Sequence, residues 1–238
     1  MPKTVAIHQP NFFPWLGYFD KLTRADAFIV LDDVQFPKTG GTWCNRVKLL
    51  VGGTPVWVTA AIDRAFSGTR LINEMLFLDE PRWRDKALKT LAANYARHPF
   101  YRETMDVVEP LLTNPERNVA AYNLRTVAAI AEALGLSSAK LVLASALGVS
   151  GTSNALLCAL TRAVGGNTYF YGGGATGYQD DAIFAAEGVA LQAQNFVHPT
   201  YPQHRHEGFS AGLSVIDAAM NLGWAGAGAL IGTPPRAA

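Results

Sequence analysis

The chain has 238 residues, of which 49% are hydrophobic and 16% charged, a balance that supports a packed core and excludes disorder. The formal net charge is +1, so there is no broad field for nucleic acid, and any anion must be recognised by a few placed residues. Two cysteines, Cys44 and Cys158, exclude a disulfide scaffold; no Cys/His spacing suits zinc and no apolar run is long enough for a membrane span.

The opening MPKTVAIHQP has no basic stretch followed by a long apolar one, so no signal peptide and a cytoplasmic location are expected. Residues 4–7 form a β-branched run that reads as a strand buried on both faces and ends at His8. A loop with Pro10, Pro14 and three aromatics leads into a helix over 17–23, and 27–31 is a second buried strand ending at Asp32 and Asp33. Residues 46–51 and 56–60 flank a Gly-Gly turn and predict a hairpin. Apolar residues at three- and four-residue spacing predict helices over 83–97, 101–112 and 119–134. Then come a strand over 140–145, a helix over 153–164, a strand over 168–171 ending in three glycines, a short helix over 180–187 and a strand over 190–196. A last helix is expected over 210–222 with Ser210 as its N-cap, followed by a frayed tail at 233–238. Strands alternating with helices predict an α/β fold: a mostly parallel sheet flanked by helices, with a helical middle segment, in a single domain over 1–232. Such sheets bind ligands outside the carboxyl ends of their strands, where His8, Asp32, Asp33 and Gly172–Gly174 would then converge.

Four segments carry candidate chemistry. In IHQPNFFPWLGYFDKL, His8 at a strand end could act as base near neutral pH, with Gln9 beside it; equally it could cap the strand while the aromatics pack the loop. In LDDVQFPKTGGTWCNR, the Asp32–Asp33 pair could hold Mg²⁺ beside a diphosphate, orient an amine, or form an Asx turn. Lys38 and Arg46 could clamp phosphate or carboxylate, Arg by its bidentate fork, although an exposed Lys38 is ordinarily just solvated. Cys44 would need a base or positive field to become a thiolate, and free cysteines are usually inert packing groups. In YFYGGGATGYQDD, Gly172 and Gly173 let the backbone approach a ligand and Tyr178 could donate to substrate, but neither nucleotide-loop glycine pattern is present. In FVHPTYPQHRHEGF, His198 and Tyr201 are expected to face the site, and His204 and His206 to be solvated in a surface loop rather than to bind metal.

The blocks HQPNFFPWLGYFDKL and ADAFIVLDDVQFPK, the W-x-N-R of Trp43, Asn45 and Arg46, the glycine-rich turn ending at Tyr178, HPTYPQ and LSVIDAAMNLG occur in order along nearly the whole chain. With them the chain resembles the WbqC-like family, which is associated with bacterial surface-polysaccharide biosynthesis. The resemblance implies amide formation on an amine, such as transfer of glycine to a nucleotide-linked amino sugar. On that expectation His8, Asp32 and Asp33 are the catalytic candidates. Gln9, Gln35, Lys38, Trp43, Asn45, Arg46, Gly172, Gly173, Tyr178, His198 and Tyr201 are the substrate-binding candidates. The expected partner is a small molecule, with no membrane involved; three donors stay open, a free amino acid with ATP, a thioester and a charged tRNA, the last disfavoured by the near-neutral charge. Two rival readings stand beside this one. An ATP-using enzyme would place a His-containing motif after the first strand, where PWLGY has Trp15 and Tyr18 instead. A non-catalytic metabolite-binding protein would use the same polar groups only to hold its ligand.

Overall fold

The computed structural model describes residues 3–80, 82–173 and 179–232. In chain order, β1 (Thr4–His8), α1 (Leu16–Arg24) and β2 (Ala27–Val30) form the first β–α–β unit. A hairpin of β3 (Arg46–Val51) and β4 (Thr54–Thr59) follows, and then the helical segment α2 (Arg82–Tyr95), α3 (Tyr101–Leu112) and α4 (Val119–Ala133). The second half contains β5 (Leu141–Leu143), α5 (Ser153–Ala163), β6 (Thr168–Tyr171), α6 (Asp181–Ala186), β7 (Ala190–Ala193) and α7 (Val215–Ala229). Five strands make one sheet in the order β5-β2-β1-β6-β7, and every pairing is parallel. This is the α/β architecture expected, with all five carboxyl ends on one edge.

The period of two divides the core. Val5, Ile7, Ala27, Ile29 and Tyr169 face a layer with Cys158 and Leu160 of α5 and Phe184 of α6. Ala6, Phe28, Val30 and Phe170 face the opposite layer with Phe19 and Leu22 of α1 and the apolar side of the helical segment. Burial on both faces explains why β1 and β2 read as unbroken apolar runs. The hairpin turns at Gly52 and Gly53, with φ of 58° and 78°. That two-residue geometry demands left-handed backbone and so favours glycine. Among the described residues, no helix is long and apolar enough to cross a membrane.

Three of the expected elements have different bounds for reasons visible in the structure. The strand over 140–145 stops at Leu143, because Ser145 turns its N–H and hydroxyl to the Asp32 carboxylate (3.0 and 2.7 Å). The strand over 190–196 stops at Ala193; Asn195 takes φ of 48°, and Arg24 Nη1 donates to Gln194 O at 2.8 Å. The last helix begins at Val215, not near Ser210. Ser210 is held in the preceding loop by a two-way pairing with Gln203 (2.8 and 3.0 Å). Ser214 is the true N-cap: its Oγ accepts from Ile216 N and donates to Phe13 O at 2.8 Å. The helix also runs on past Leu222 to Ala229 across a kink at Gly223. The tail at 233–238 lies outside the described residues.

A buried carboxylate organises the junction of α7 with the helical segment. Asp217 is fully buried. Tyr95 Oη donates to its Oδ1 at 2.9 Å, while Tyr201 Oη and Gln203 Nε2 donate to its Oδ2 at 2.8 and 3.1 Å. Tyr95 Oη in turn accepts from Leu50 N at 2.8 Å, so one network joins α2, β3, α7 and the segment carrying Tyr201. Burial pushes the Asp217 pKa up, against the lowering by its three donors.

His98, just beyond α2, is buried against Tyr95 and packs on His204, with ring centroids 4.7 and 4.9 Å away. Burial, and then the neighbouring His204, hold its pKa down at about 4. A histidine whose folded pKa lies below its unfolded value contributes stability above the unfolded value and loses it as pH falls through the interval. His98 therefore predicts a thermal midpoint that is level above about pH 6.5 and declines toward pH 4. Burial lowers the pKa of His8 and His198 as well, so His98→Phe should make the decline shallower without abolishing it; an equally steep decline in the variant would rule His98 out as a contributor.

Candidate active site

The carboxyl edge of the sheet is built by a loop that the fold ties down from three sides. After β1, Asn123 Nδ2 of α4 donates to both Pro10 O (2.9 Å) and Cys44 O (2.7 Å), and Phe12 N donates to Trp43 O (2.7 Å). Val215 N donates to Pro14 O at 2.8 Å, beside the Ser214–Phe13 bond. These bonds bring the 42–45 turn against the loop and set Trp15 as the N-cap of α1. Between this loop and the ends of β6 and β7 lies a cleft of about 850 Å³, a size suited to a metabolite.

Of the residues singled out in the sequence, His8, Gln9, Trp43, Gly172, Gly173 and His198 line this cleft, together with Trp15. The ring of His8 meets Tyr18 and Trp15 edge-on, with centroids 4.9 and 5.7 Å away. Its Nδ1 lies 3.1 Å from Gln9 O. A carbonyl only accepts, so Nδ1 carries the proton and Nε2 is left as the ring's acceptor. Burial, and then the charge of Lys21, lower the His8 pKa to about 3, so the ring is neutral. His198 packs edge-on against Phe196 at 5.0 Å, and burial lowers its pKa as well.

The acidic pair lies elsewhere. Asp32 is buried, with Oδ1 accepting from Ser145 N and Oδ2 from Ser145 Oγ and Asn73 Nδ2. Its carboxylate fastens the end of β2 to the turn after β5, and neither it nor Asp33 lines the cleft. The pair is thus not an open two-carboxylate seat for Mg²⁺, one of the three roles that its sequence allows. Burial, and then the charge of Asp32, raise the Asp33 pKa. Gln35 and Lys38 are exposed and outside the cleft. Asn45 is buried as a turn-holder: its Oδ1 accepts from Thr42 N (2.9 Å) and its Nδ2 donates to Ala60 O (3.0 Å). Arg46 stacks its guanidinium 4.3 Å above Trp57. Trp57 meets Trp43 at 5.0 Å, and Trp43 meets Trp15 at 4.8 Å, so Arg46 stands behind the rim rather than in the cleft. Tyr201, expected to face the site, is buried on Asp217. Tyr178 and Gly174 lie outside the described residues.

Cys44 is buried, with Sγ 3.8 Å from Gln9 Oε1, and burial pushes its thiol up to about 11. A protonated, enclosed thiol is a poor nucleophile. Cys44→Ala should therefore leave turnover within about twofold of the parent, and the native chain should resist alkylation at this position. Loss of turnover in that variant would instead make the thiol part of the chemistry.

Lys21 escaped the sequence reading. It lines the cleft from α1 and is only 4% exposed, and burial lowers its pKa to about 8. Among the described residues no carboxylate forms an ion pair with it. The detectable signal was its spacing: Lys21 lies four residues after Gly17, hence on one face of a helix that starts at the carboxyl edge of β1. Gln194 also lines the cleft, with its Nε2 donating to Gly17 O (2.7 Å) and Asp20 Oδ2 (2.8 Å). Among the described lining residues there is no Asp or Glu. The site therefore combines a neutral imidazole, one buried ammonium, amide side chains and an indole wall.

A family model described as the WbqC-like protein family matches residues 9–228. The uncharacterized protein Rv1507c of Mycobacterium tuberculosis is 27% identical over 224 residues, covering 93% of this chain and 94% of that protein. No solved structure gives a significant match.

Proposed function

The chain belongs to the WbqC-like protein family, and we propose that it is an acyl or aminoacyl transferase forming an amide on the amine of a nucleotide-linked sugar or a related small metabolite. The observation that supports this reading is the neutral His8 ring, with Nε2 as acceptor, in a metabolite-sized cleft whose described lining has a lysine and no carboxylate. An amine attacks only as its free base. A carboxylate beside the amine would raise its pKa and hold it as the unreactive ammonium, and the described lining has none. In the proposed step the amine nitrogen forms a bond to the acyl carbon and loses its proton to His8 Nε2. The tetrahedral intermediate then expels the leaving group, which takes that proton. The Gly173 N–H group is the candidate for stabilising the oxyanion of the intermediate. Trp15 and Trp43 offer flat apolar surface to a sugar or a base.

The test is incubation with nucleotide-linked amino sugars and acyl or aminoacyl thioesters, and separately with amino acid and ATP-Mg²⁺, with mass spectrometry of the products. An amide product that disappears in His8→Gln supports the assignment. Binding without product across all donors would replace the transferase reading with that of a metabolite-binding protein, and pyrophosphate release would replace it with that of an adenylating enzyme.

A further inference from the structure

We propose that the first turn of α1, the Lys21 ammonium and the Gly172 backbone form an oxyanion subsite, which takes a phosphate or carboxylate group of the ligand. Only the statement that this same ligand reacts beside His8 rests on the transferase reading.

Helix α1 starts in the cleft: its N-cap Trp15 and its second residue Gly17 both line the cavity. Trp15 supplies no side-chain cap, and no acidic residue lies in the first turn, so the positive end of the helix dipole is unneutralised there. Gly17 and Lys21 are four apart and line the same cavity, which places the ammonium above the same face as the helix start. The acid beside it in sequence is already committed. Asp20 accepts from Arg24 Nη1 at 3.2 Å, Gln194 Nε2 at 2.8 Å and Gly232 N at 3.2 Å.

Lys21 is thus more than nine-tenths buried and faces a cleft whose described lining has no acid. A buried charge without a counterion is unfavourable, and a bound anion would supply the missing partner. The backbone leaves room for it. A Cβ on Gly172 would lie 3.2 Å from Lys21 Nζ and 3.3 Å from Gln194 Oε1, while a Cβ on Gly173 would meet nothing within 4 Å. Helix start, ammonium and bare backbone are the parts that recur in phosphate and carboxylate sites.

The test is titration with inorganic phosphate, pyrophosphate and acetate at constant ionic strength, followed by thermal midpoint and by the fluorescence of Trp15 and Trp43. Saturable stabilisation is expected. A response to phosphate or pyrophosphate alone identifies a phosphoryl group, and one to acetate alone identifies a carboxylate. Lys21→Met should weaken the response about tenfold or more, as loss of one charge-assisted hydrogen bond does. It should not lower the midpoint without anion, because it removes an uncompensated buried charge. Gly172→Ala, which keeps the charge but fills the space beside it, should weaken the response as well. His8→Gln should leave the response intact, so failure of the transferase reading and failure of this subsite are distinguishable. The proposal is overturned by the absence of any saturable response, by an unchanged response in both Lys21→Met and Gly172→Ala, or by a Lys21→Met variant that is destabilised without anion.

Discussion

His8→Gln will lower amide formation by about 10²-fold, the low end of the range over which a positioned general base contributes, because burial holds His8 a weak base. Glutamine keeps a polar side chain at the end of β1 but has no basic nitrogen. Among the described residues the His8 ring makes one hydrogen bond, to Gln9 O, so the midpoint should move little and the loss should fall on kcat rather than on KM. The pH profile sharpens the test. Because the folded His8 pKa lies below its ordinary value of 6.5, His8 stays in its basic form as pH falls through that value. The acid limb of kcat/KM should then reflect protonation of the substrate amine and not a group near 6.5. The charge of Lys21 is one cause of the lowered His8 pKa. An oxyanion paired with Lys21 would cancel that influence and make His8 a stronger base when the ligand is in place. An unchanged rate in His8→Gln would end its assignment as base.

The other large effect is on folding. Asp217→Ala should destabilise the chain by about 2–5 kcal/mol, since buried donors left without an acceptor cost roughly 1–3 kcal/mol each and relief of the carboxylate's own burial offsets part of the loss. For a chain of this size that is a fall of roughly 5–15 °C in the midpoint. The donors at stake are Tyr95, Tyr201 and Gln203. Asp217→Asn retains an acceptor and should lose less than half as much. Tyr95→Phe and Asp217→Ala should be non-additive, because they act on one network. Additive losses, or a midpoint within 2 °C of the parent in Asp217→Ala, would show that the network is not a main support of this junction.

The sequence disclosed elements whose burial is one-sided or complete, and concealed those set by a distant partner. Residues 101–112 and 168–171 are a helix and a strand as read, because their apolar spacing is the direct consequence of what they pack against. Ser210 and Ser214 are both plausible caps by residue type; the pairing with Gln203 seven residues earlier and the contact of its hydroxyl with His206 Nε2 at 3.0 Å hold Ser210 in the loop. Asp32 and Asp33 looked alike as adjacent carboxylates at a strand end. What separates them is Ser145, brought alongside when β5 pairs with β2. Lysine in an amphipathic helix ordinarily reads as solvated, and Lys21 is buried because the ends of β6 and β7 close over that face of α1. His8 was visible because it ends a short β-branched run, and the sheet places it in the cleft where that run stops.

The place of β1 in the sheet also governs when the molecule can assemble. Thr4 pairs with Thr168, far along the chain, while the other neighbour of β1, β2, follows within a single helix. The chain can form the first β–α–β unit locally, yet β1 must wait for the hairpin, the helical segment, β5 and α5 to pass before β6 covers its second edge. Closing so long a loop is entropically slow, and an apolar strand with an open edge invites pairing with other chains. Refolding from denaturant should therefore be slower and more prone to aggregation than the abundance of helix suggests. The finished cleft, whose floor includes the ends of both β1 and β6, is a product of the last folding step and not of the first.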